Sequence, residues 1–157
     1  MKESDAVVIC RNVVETVEKV KQTQAEVRFV TTLESLPLVT DDSRLQQLLI
    51  NLLINATKFT TEGVITLEVE KESDTVALFS VTDTGCGIPL EKQKQIFNRF
   101  EKLNEGAQGT GLGLSICQLI IEQVGGRIWI DHEYTEGARF MFTHPIIPVV
   151  NRKENTQ

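Results

Sequence analysis

Apolar side chains recur along this chain at two spacings, one typical of helices and the other typical of strands. Residues 6–22 place them at helical spacing, which predicts a first helix. Residues 40–43 offer capping side chains, and the apolar run behind them predicts a second helix that ends near Thr57. Residues 112–124 predict a third helix, closed by the glycine pair at 125–126.

Strands are predicted where β-branched and aromatic residues cluster, or where apolar and polar residues alternate. They are 27–32, a hairpin pair 64–71 and 75–82, and a last pair 127–131 and 138–143, after which Pro145 ends the sheet. Leu36-Pro37 interrupts the pattern, a short helix is expected over 90–100, and 101–110 reads as a polar loop. Because strands and helices do not alternate regularly, the chain predicts an α+β sandwich with helices on one face of a mixed sheet.

Length, composition and charge narrow the possible functions. With 157 residues, 41% of them hydrophobic and 24% charged, the chain has the make-up of one soluble globular domain. A formal net charge of -6 argues against a nucleic-acid binder, which needs a basic surface. No apolar run approaches the roughly 20 residues that span a bilayer. Three cysteines without metal-type spacing suit free thiols in a reducing cytoplasm, and two histidines are too few for a histidine-built metal site.

The stretch 48–60 (LLINLLINATKFT) places polar residues on an otherwise apolar helix. Asn51, Asn55 and Lys58 recur at i, i+4 and i+7, so they form one polar stripe. The leucines and isoleucine between them predict that the remaining faces are buried. Asparagine is seldom buried without hydrogen-bond partners. Two interpretations stay open: core asparagines bonded to neighbouring backbone, or a ligand site whose polar groups project from a rigid helix.

The stretch 83–89 (DTGCGIP) follows the second hairpin strand directly. Gly85 and Gly87 let the backbone approach a ligand closely or adopt positive φ. Asp83 can accept a hydrogen bond from an exocyclic amine such as that of adenine. An ordinary Asp-Gly turn at the end of a strand is the alternative, and such turns are common.

The stretch 109–116 (GTGLGLSI) has three glycines at alternate positions and then opens the third helix. Backbone N–H groups at a helix N-terminus bind anions, so phosphates could lie here. No Lys follows the glycines, as a P-loop requires, and the polar segment before them is not the strand that a dinucleotide fingerprint requires. The pattern is therefore a phosphate-type loop of neither common kind.

Together NLLINATKFT, DTGCGIP, IFNRF and GTGLGLSI resemble the N, G1, F and G2 boxes of sensor histidine kinases, in the family's order and at its spacing. The resemblance covers roughly residues 6–148. It implies the Bergerat (GHKL) fold, a two-layer sandwich of a mixed five-stranded sheet and three helices, with ATP under a lid. Residues 1–148 are then an ATP-binding catalytic domain with Mg²⁺ as its metal, and 149–157 are a polar tail.

The resemblance also implies a role for each matching position. Asn55 matches the asparagine that ligates Mg²⁺, and Asp83 matches the aspartate that receives the adenine amino group. Asn51, Lys58 and Arg99 match positions that face or contact the phosphates, and they are the candidate catalytic residues. The other expected ATP-binding residues are Phe59, Gly85, Gly87, Ile88, Gln108, Gly109, Thr110, Gly111, Leu112 and Gly113.

Asn51 separates two mechanisms within the wider superfamily. The ATP-hydrolysing relatives carry a glutamate four residues before the metal-binding asparagine, where it activates water as a general base. Asn51 cannot take up a proton at neutral pH. The sequence therefore predicts phosphoryl transfer to another protein rather than hydrolysis. A non-catalytic nucleotide switch is the alternative, and a GHKL ATPase is a weaker one.

A phospho-accepting histidine is not expected within these residues. His132 is followed by Glu133, but it lies in a predicted strand-to-turn region, and His144 precedes Pro145. The expected partners are a histidine-bearing dimerisation hairpin, in cis or in trans, and the receiver domain of a response regulator. No contact with nucleic acid or membrane is expected, and the isolated domain is expected to be a cytoplasmic monomer.

Overall fold

Five strands form the main sheet in the computed structural model, which describes the backbone of residues 2–85 and 110–146 and leaves undescribed the side chains of 110–115. They are β2 (Glu26–Val30), β4 (Val64–Ser73), β5 (Val76–Asp83), β6 (Ile128–Ile130) and β7 (Arg139–Pro145), in the order β2-β4-β5-β7-β6. β2 pairs with β4 in parallel, and the other neighbours are antiparallel. The predicted mixed five-stranded sheet is confirmed.

Three helices lie within the described part of the chain: α1 (Ala6–Val20), α2 (Asp42–Phe59) and α3 (Thr110–Gln123). α1 and α2 pack together and against the sheet, and α3 packs along α2 and touches β7. Each of α1 and α2 buries one apolar face. The buried members are Val7, Ile9, Val13, Val14 and Val17 on α1, and Leu45, Leu48, Leu49, Leu52 and Leu53 on α2. Together with the sheet, these faces form the core of the predicted α+β sandwich.

The β4–β5 hairpin supplies the centre of this core, as its alternation predicts. Ile65, Leu67 and Val69 on β4 and Phe79 on β5 are fully buried. Phe79 lies directly opposite Phe142 on β7, and the two rings stack with centroids 4.5 Å apart. An aromatic pair of this kind adds to the stability that burial of its apolar area already supplies.

Two aspartates begin the first two helices. Asp41 caps α2 by accepting hydrogen bonds from the N–H groups of Ser43 and Arg44, so the predicted capping segment is confirmed. Asp5 caps α1 by accepting from the N–H of Val7 at 2.9 Å, and the same oxygen accepts from the N–H of Leu36. A single carboxylate thereby ties the start of α1 to the segment that leads into α2.

A two-stranded ribbon is the part of this fold that the sequence pattern does not predict. β1 (Lys2–Asp5) pairs with β3 (Pro37–Thr40) in antiparallel register. Each strand has four residues, too few for a clear alternation, and Pro37 predicts an interruption of regular structure rather than the start of a strand. The predicted helix over 90–100 lies outside the described residues, as does the predicted loop over 101–110 except for its last residue. That residue, Thr110, begins α3, two residues before the predicted 112.

His144 gives the folded protein a specific pH dependence. Its side chain is 3% exposed, its Nδ1 donates to the carbonyl of Pro145 at 2.8 Å, and its Nε2 accepts from the Thr40 hydroxyl at 3.1 Å. Burial lowers the pKa of His144 from its ordinary 6.5. The unfolded chain therefore binds more protons below this pH, so this contribution to stability is present above 6.5 and is lost as the pH falls towards the folded-state pKa.

Replacement of His144 by Leu should remove that dependence. Urea unfolding at several pH values between about 7 and 5 should give a shallower fall in the free energy of unfolding for His144→Leu than for wild type. His132→Gln, at an exposed histidine, is the matched control and should keep the wild-type slope. Equal slopes for wild type and His144→Leu would contradict the assignment.

Candidate functional site

Helix α2 presents the polar stripe that its sequence predicts. Asn55 is 7% exposed, Asn51 is half-buried, and Lys58 is exposed near the C-terminal end. Asn51 lies beside Cys117 of α3, close enough to favour the thiolate of that cysteine by hydrogen bonding. The Cys117 thiol donates to the carbonyl of Leu48 at 3.8 Å, so α3 packs against the turn of α2 that carries Asn51.

The side-chain oxygen of Asn55 is buried and has no hydrogen-bond partner among the residues that the structure describes. Leaving a buried amide oxygen unpaired costs about 1–3 kcal/mol, so such an atom is retained where it serves another purpose. A neutral amide oxygen is a hard ligand of the kind that Mg²⁺ accepts beside waters and phosphates. Of the two interpretations of the stripe, this favours a ligand site at Asn55 over a satisfied core asparagine.

Asp83 is a buried carboxylate at the end of β5 and is 3% exposed. Its Oδ1 accepts from the N–H of Gly85 at 2.9 Å and from the N–H of Ala138 at 3.2 Å. Burial raises the pKa of Asp83, and the N–H groups of Gly85 and Ala138, with the nearby Thr60 hydroxyl, oppose that rise. One oxygen of the carboxylate is thus fixed by two backbone N–H groups.

Gly85 brings the Asp83 segment against the C-terminal end of α2. A Cβ at Gly85 would lie 2.2 Å from the carbonyl oxygen of Phe59 and 2.6 Å from Oγ1 of Thr60, so only glycine fits this approach. Thr60, the C-cap residue of α2, is fully buried, and its hydroxyl makes no hydrogen bond within 2–85 and 110–146 by distance and angle. Two unpaired polar atoms, on Asn55 and Thr60, therefore lie at this end of the helix.

The glycine-rich stretch falls partly outside the described residues. Thr110, Gly111, Leu112 and Gly113 form the first turn of α3, so the predicted junction of this stretch with a helix is confirmed. The remaining candidate site residues lie outside the described part of the chain: Gly87, Ile88, Arg99, Gln108 and Gly109.

Comparison with known proteins identifies the family. The family model described as histidine kinase-, DNA gyrase B- and HSP90-like ATPase matches residues 40–148, which include all the site residues above. The chain belongs to this family. Within it, the chain is a histidine-kinase-type ATP-binding catalytic domain with the expected α+β fold.

Particular relatives agree with that assignment. The adaptive-response sensory kinase SasA of Gloeothece citriformis (strain PCC 7424) is 42% identical over 113 residues, which are 70% of this chain and 29% of that kinase. The catalytic domain of histidine kinase ThkA matches with a TM-score of 0.82 and 36% identity, over 92% of this chain and 95% of that one. ThkA in complex with the response regulator protein TrrA matches with a TM-score of 0.78 and 34% identity, over 94% of this chain and 42% of the kinase chain. The chain thus spans less than a third of the SasA kinase that it matches.

In this histidine-kinase-type domain, the turn between β6 and β7 contributes residues that the sequence pattern does not single out. The hydroxyl of Tyr134 donates to the carbonyl of Asp83 at 3.0 Å. Gly137 has a φ of +158°, and a Cβ there would lie 1.9 Å from the same carbonyl oxygen. The Glu136-Gly137 pair does mark a turn in the sequence, but nothing local connects that turn with Asp83.

The two described cysteines, Cys10 and Cys117, lack the chemistry of a second site. Burial raises the pKa of both Cys10 and Cys117 to about 12, so both thiols stay protonated at neutral pH. Among residues 2–85 and 110–146 there is no cluster of His, Cys, Asp and Glu that could hold a metal. In that same part of the chain, none of the helices has the length and apolar character needed to cross a bilayer.

The charge on Asp83 should cost stability in the protein without ligand. Because burial raises its folded-state pKa above the ordinary 3.8, this group favours the folded state at acidic pH and that contribution is lost as the pH rises through the folded-state pKa. Asp83→Asn keeps an oxygen for the N–H groups of Gly85 and Ala138. We expect it to be more stable than wild type at about pH 7, with a smaller difference near pH 4, by urea unfolding.

Asp74→Asn is the matched control for that measurement, since Asp74 is an exposed carboxylate in the β4–β5 turn. It should leave the free energy of unfolding unchanged across the same pH range. An Asp83→Asn variant that is less stable than wild type at neutral pH would show that the buried carboxylate stabilises the fold.

Proposed function

We propose that this chain is the catalytic domain of a two-component sensor histidine kinase. It binds ATP with Mg²⁺ and transfers the γ-phosphoryl group to a histidine on a separate dimerisation hairpin, for relay to a response regulator. The observation that carries the proposal is the buried side-chain oxygen of Asn55, which has no hydrogen-bond partner among the described residues and lies on the helix whose C-terminal end meets the segment after Asp83. Membership of the family and the likeness to SasA and ThkA support it.

Adenine recognition is assigned to Asp83 and the end of α2. Oδ2 of Asp83 accepts from the exocyclic amine of the base, because Oδ1 is already held by the N–H groups of Gly85 and Ala138. Gly85 leaves room for the base beside the backbone. Phe59 is half-buried at the last position of α2, where its ring can pack against the base. A purine with an amine is thereby favoured over one with a carbonyl at the same position.

The phosphates and the metal are assigned to the polar stripe of α2. Asn55 would supply one neutral oxygen ligand to Mg²⁺, a hard ligand of the kind that this ion accepts. When bound, the ion neutralises the charge that develops on the phosphates. Asn51, Lys58 and Arg99 orient the phosphate chain, and the backbone N–H groups at the start of α3 hold it at a helix N-terminus. Gly87, Ile88, Gln108, Gly109 and Thr110–Gly113 complete the nucleotide site.

Phosphoryl transfer follows from the absence of a base at Asn51. An amide cannot take a proton from water, so the site lacks the group that would start hydrolysis. The imidazole of the acceptor histidine is largely neutral near pH 7 and is itself the nucleophile. The domain's contribution is then to position the γ-phosphoryl group in line with that nitrogen and to offset its charge.

The acceptor histidine and the receiver domain belong to partners. His144 is buried and His132 is exposed on the turn after β6, and neither lies on a helix as a phospho-accepting histidine does. The complex of ThkA with the response regulator TrrA supports a receiver domain as the next partner. The domain is proposed to act in the cytoplasm. In isolation it is a monomer, because the hairpin is the part that dimerises.

One assay separates the candidate activities. The chain is incubated with γ-labelled ATP, Mg²⁺ and a histidine-bearing hairpin domain, with the same hairpin carrying Gln in place of the histidine as control. The proposal predicts acid-labile, base-stable label on the hairpin that is absent from the control. Release of free phosphate without labelled hairpin would favour an ATPase, and bound nucleotide with neither product would favour a non-catalytic switch.

Asn55→Ala should abolish Mg²⁺-dependent binding of ATP, because it removes the amide oxygen proposed to ligate the ion. Isothermal titration with ATP, with and without Mg²⁺, should show the metal-dependent part of the affinity in wild type and lose it in the variant. Asn12→Ala, at an exposed position of α1, is the matched control. Undiminished metal-dependent affinity in Asn55→Ala would remove Asn55 from the metal site.

A further inference from the structure

Tyr134, in the turn between β6 and β7, holds the backbone of Asp83 by a hydrogen bond. Its hydroxyl donates to the Asp83 carbonyl at 3.0 Å, across 51 residues of sequence. Its own N–H donates to the carbonyl of Asp131 at 3.2 Å, which closes the turn that follows β6. Tyr134 is half-buried, so the bond is partly shielded from competing water.

Arg139 fixes the ring of Tyr134 in place. Its guanidinium carbon lies 4.4 Å from the centre of the ring, within the range of a cation–π contact. The same side chain donates from Nε to the Thr82 hydroxyl at 3.1 Å and from Nη1 to Oδ2 of Asp131 at 3.3 Å. With two hydrogen bonds that fix its guanidinium, Arg139 can hold the ring and thereby hold the hydroxyl on its acceptor.

The turn that carries Tyr134 makes three hydrogen bonds with Asp83, one from the Tyr134 hydroxyl and two with the backbone of Ala138. The N–H of Asp83 donates to the carbonyl of Ala138 at 2.8 Å, and the N–H of Ala138 donates to Oδ1. Gly137 lies so close to the Asp83 carbonyl that no side chain would fit at this position. The backbone on both sides of the Asp83 Cα is therefore clamped by residues 134–138.

We propose that Tyr134 is a positioning residue for recognition of the adenine amine. By fixing the Asp83 carbonyl, it fixes the plane of the peptide that follows Asp83 and so the direction in which Oδ2 faces the base. A hydrogen bond to an amine weakens steeply as its angle departs from linear, so a small rotation of Asp83 costs affinity for the base and not for the phosphates. This inference rests on the proposed function, in which Asp83 binds adenine.

The test compares nucleotides that differ at the position Asp83 contacts. Tyr134→Phe keeps the ring under Arg139 and removes only the hydroxyl. It should weaken binding of Mg·ATP about threefold to tenfold, the size expected for one hydrogen bond. Binding of Mg·ITP, which has a carbonyl in place of the amine, and of Mg·tripolyphosphate should change less than twofold. Thr135→Val, at an exposed neighbour in the same turn, is the matched control and should match wild type for all three probes.

A double-mutant cycle with Asp83 tests the route of the effect. In an Asp83→Asn background, Tyr134→Phe should cause no further loss of Mg·ATP affinity, because Tyr134 acts through the carboxylate. Arg139→Leu, which frees the ring without altering it, should reproduce part of the selective loss. An equal loss for ATP, ITP and tripolyphosphate, or an unchanged affinity for ATP, would overturn the proposal. Wild-type protein that binds no ATP would overturn the proposed function itself, and this inference with it.

Discussion

The site depends on one buried carboxylate and the hydrogen bonds that hold it. Asp83 ends β5, and the segment after it turns at once against the C-terminal end of α2 because Gly85 has no side chain. The β6–β7 turn then closes on its other side through Ala138 and Tyr134. Three parts of the chain that are distant in sequence meet at this residue.

Helix α2 carries both a hydrophobic core face and the proposed ligand-binding residues. Its leucines are buried against α1, α3 and the sheet, so its axis is fixed by packing rather than by the polar stripe. That rigidity lets it carry Asn55 and Thr60, whose buried oxygens lack described partners and cost free energy in the absence of ligand. Asp83 adds a buried charge to the same region. Burial of the leucines on the same helix offsets the free energy that these unpaired and charged groups cost.

Local pattern was enough to predict those elements whose residues contact their sequence neighbours. The β4–β5 hairpin and α2 fall close to their predicted bounds because alternation, a capping aspartate and helical periodicity are all short-range.

The β1–β3 ribbon could not be predicted in this way. Its strands have four residues each, and they form by pairing across more than thirty positions rather than through their own pattern. The importance of Tyr134 and Thr60 could not be predicted for a related reason. Their significance lies in contacts with Asp83 and Gly85 that only the folded chain brings together. The roles proposed for Asn55 and Asp83 rest on the resemblance of whole motifs. The burial of both side chains and the unpaired oxygen of Asn55 are the physical support that the structure adds.

The β1–β3 ribbon has a mechanical consequence for helix α2. Lys2 pairs with Thr40, and two side chains of β1 reach Asp42 in the first turn of the helix, Ser4 by a hydrogen bond and Lys2 by an ion pair at 3.5 Å. Asp42 therefore links the first described strand directly to the helix that carries Asn51 and Asn55. A displacement of β1 would therefore act first on the opening turn of α2, about 20 Å along the helix axis from Asn55.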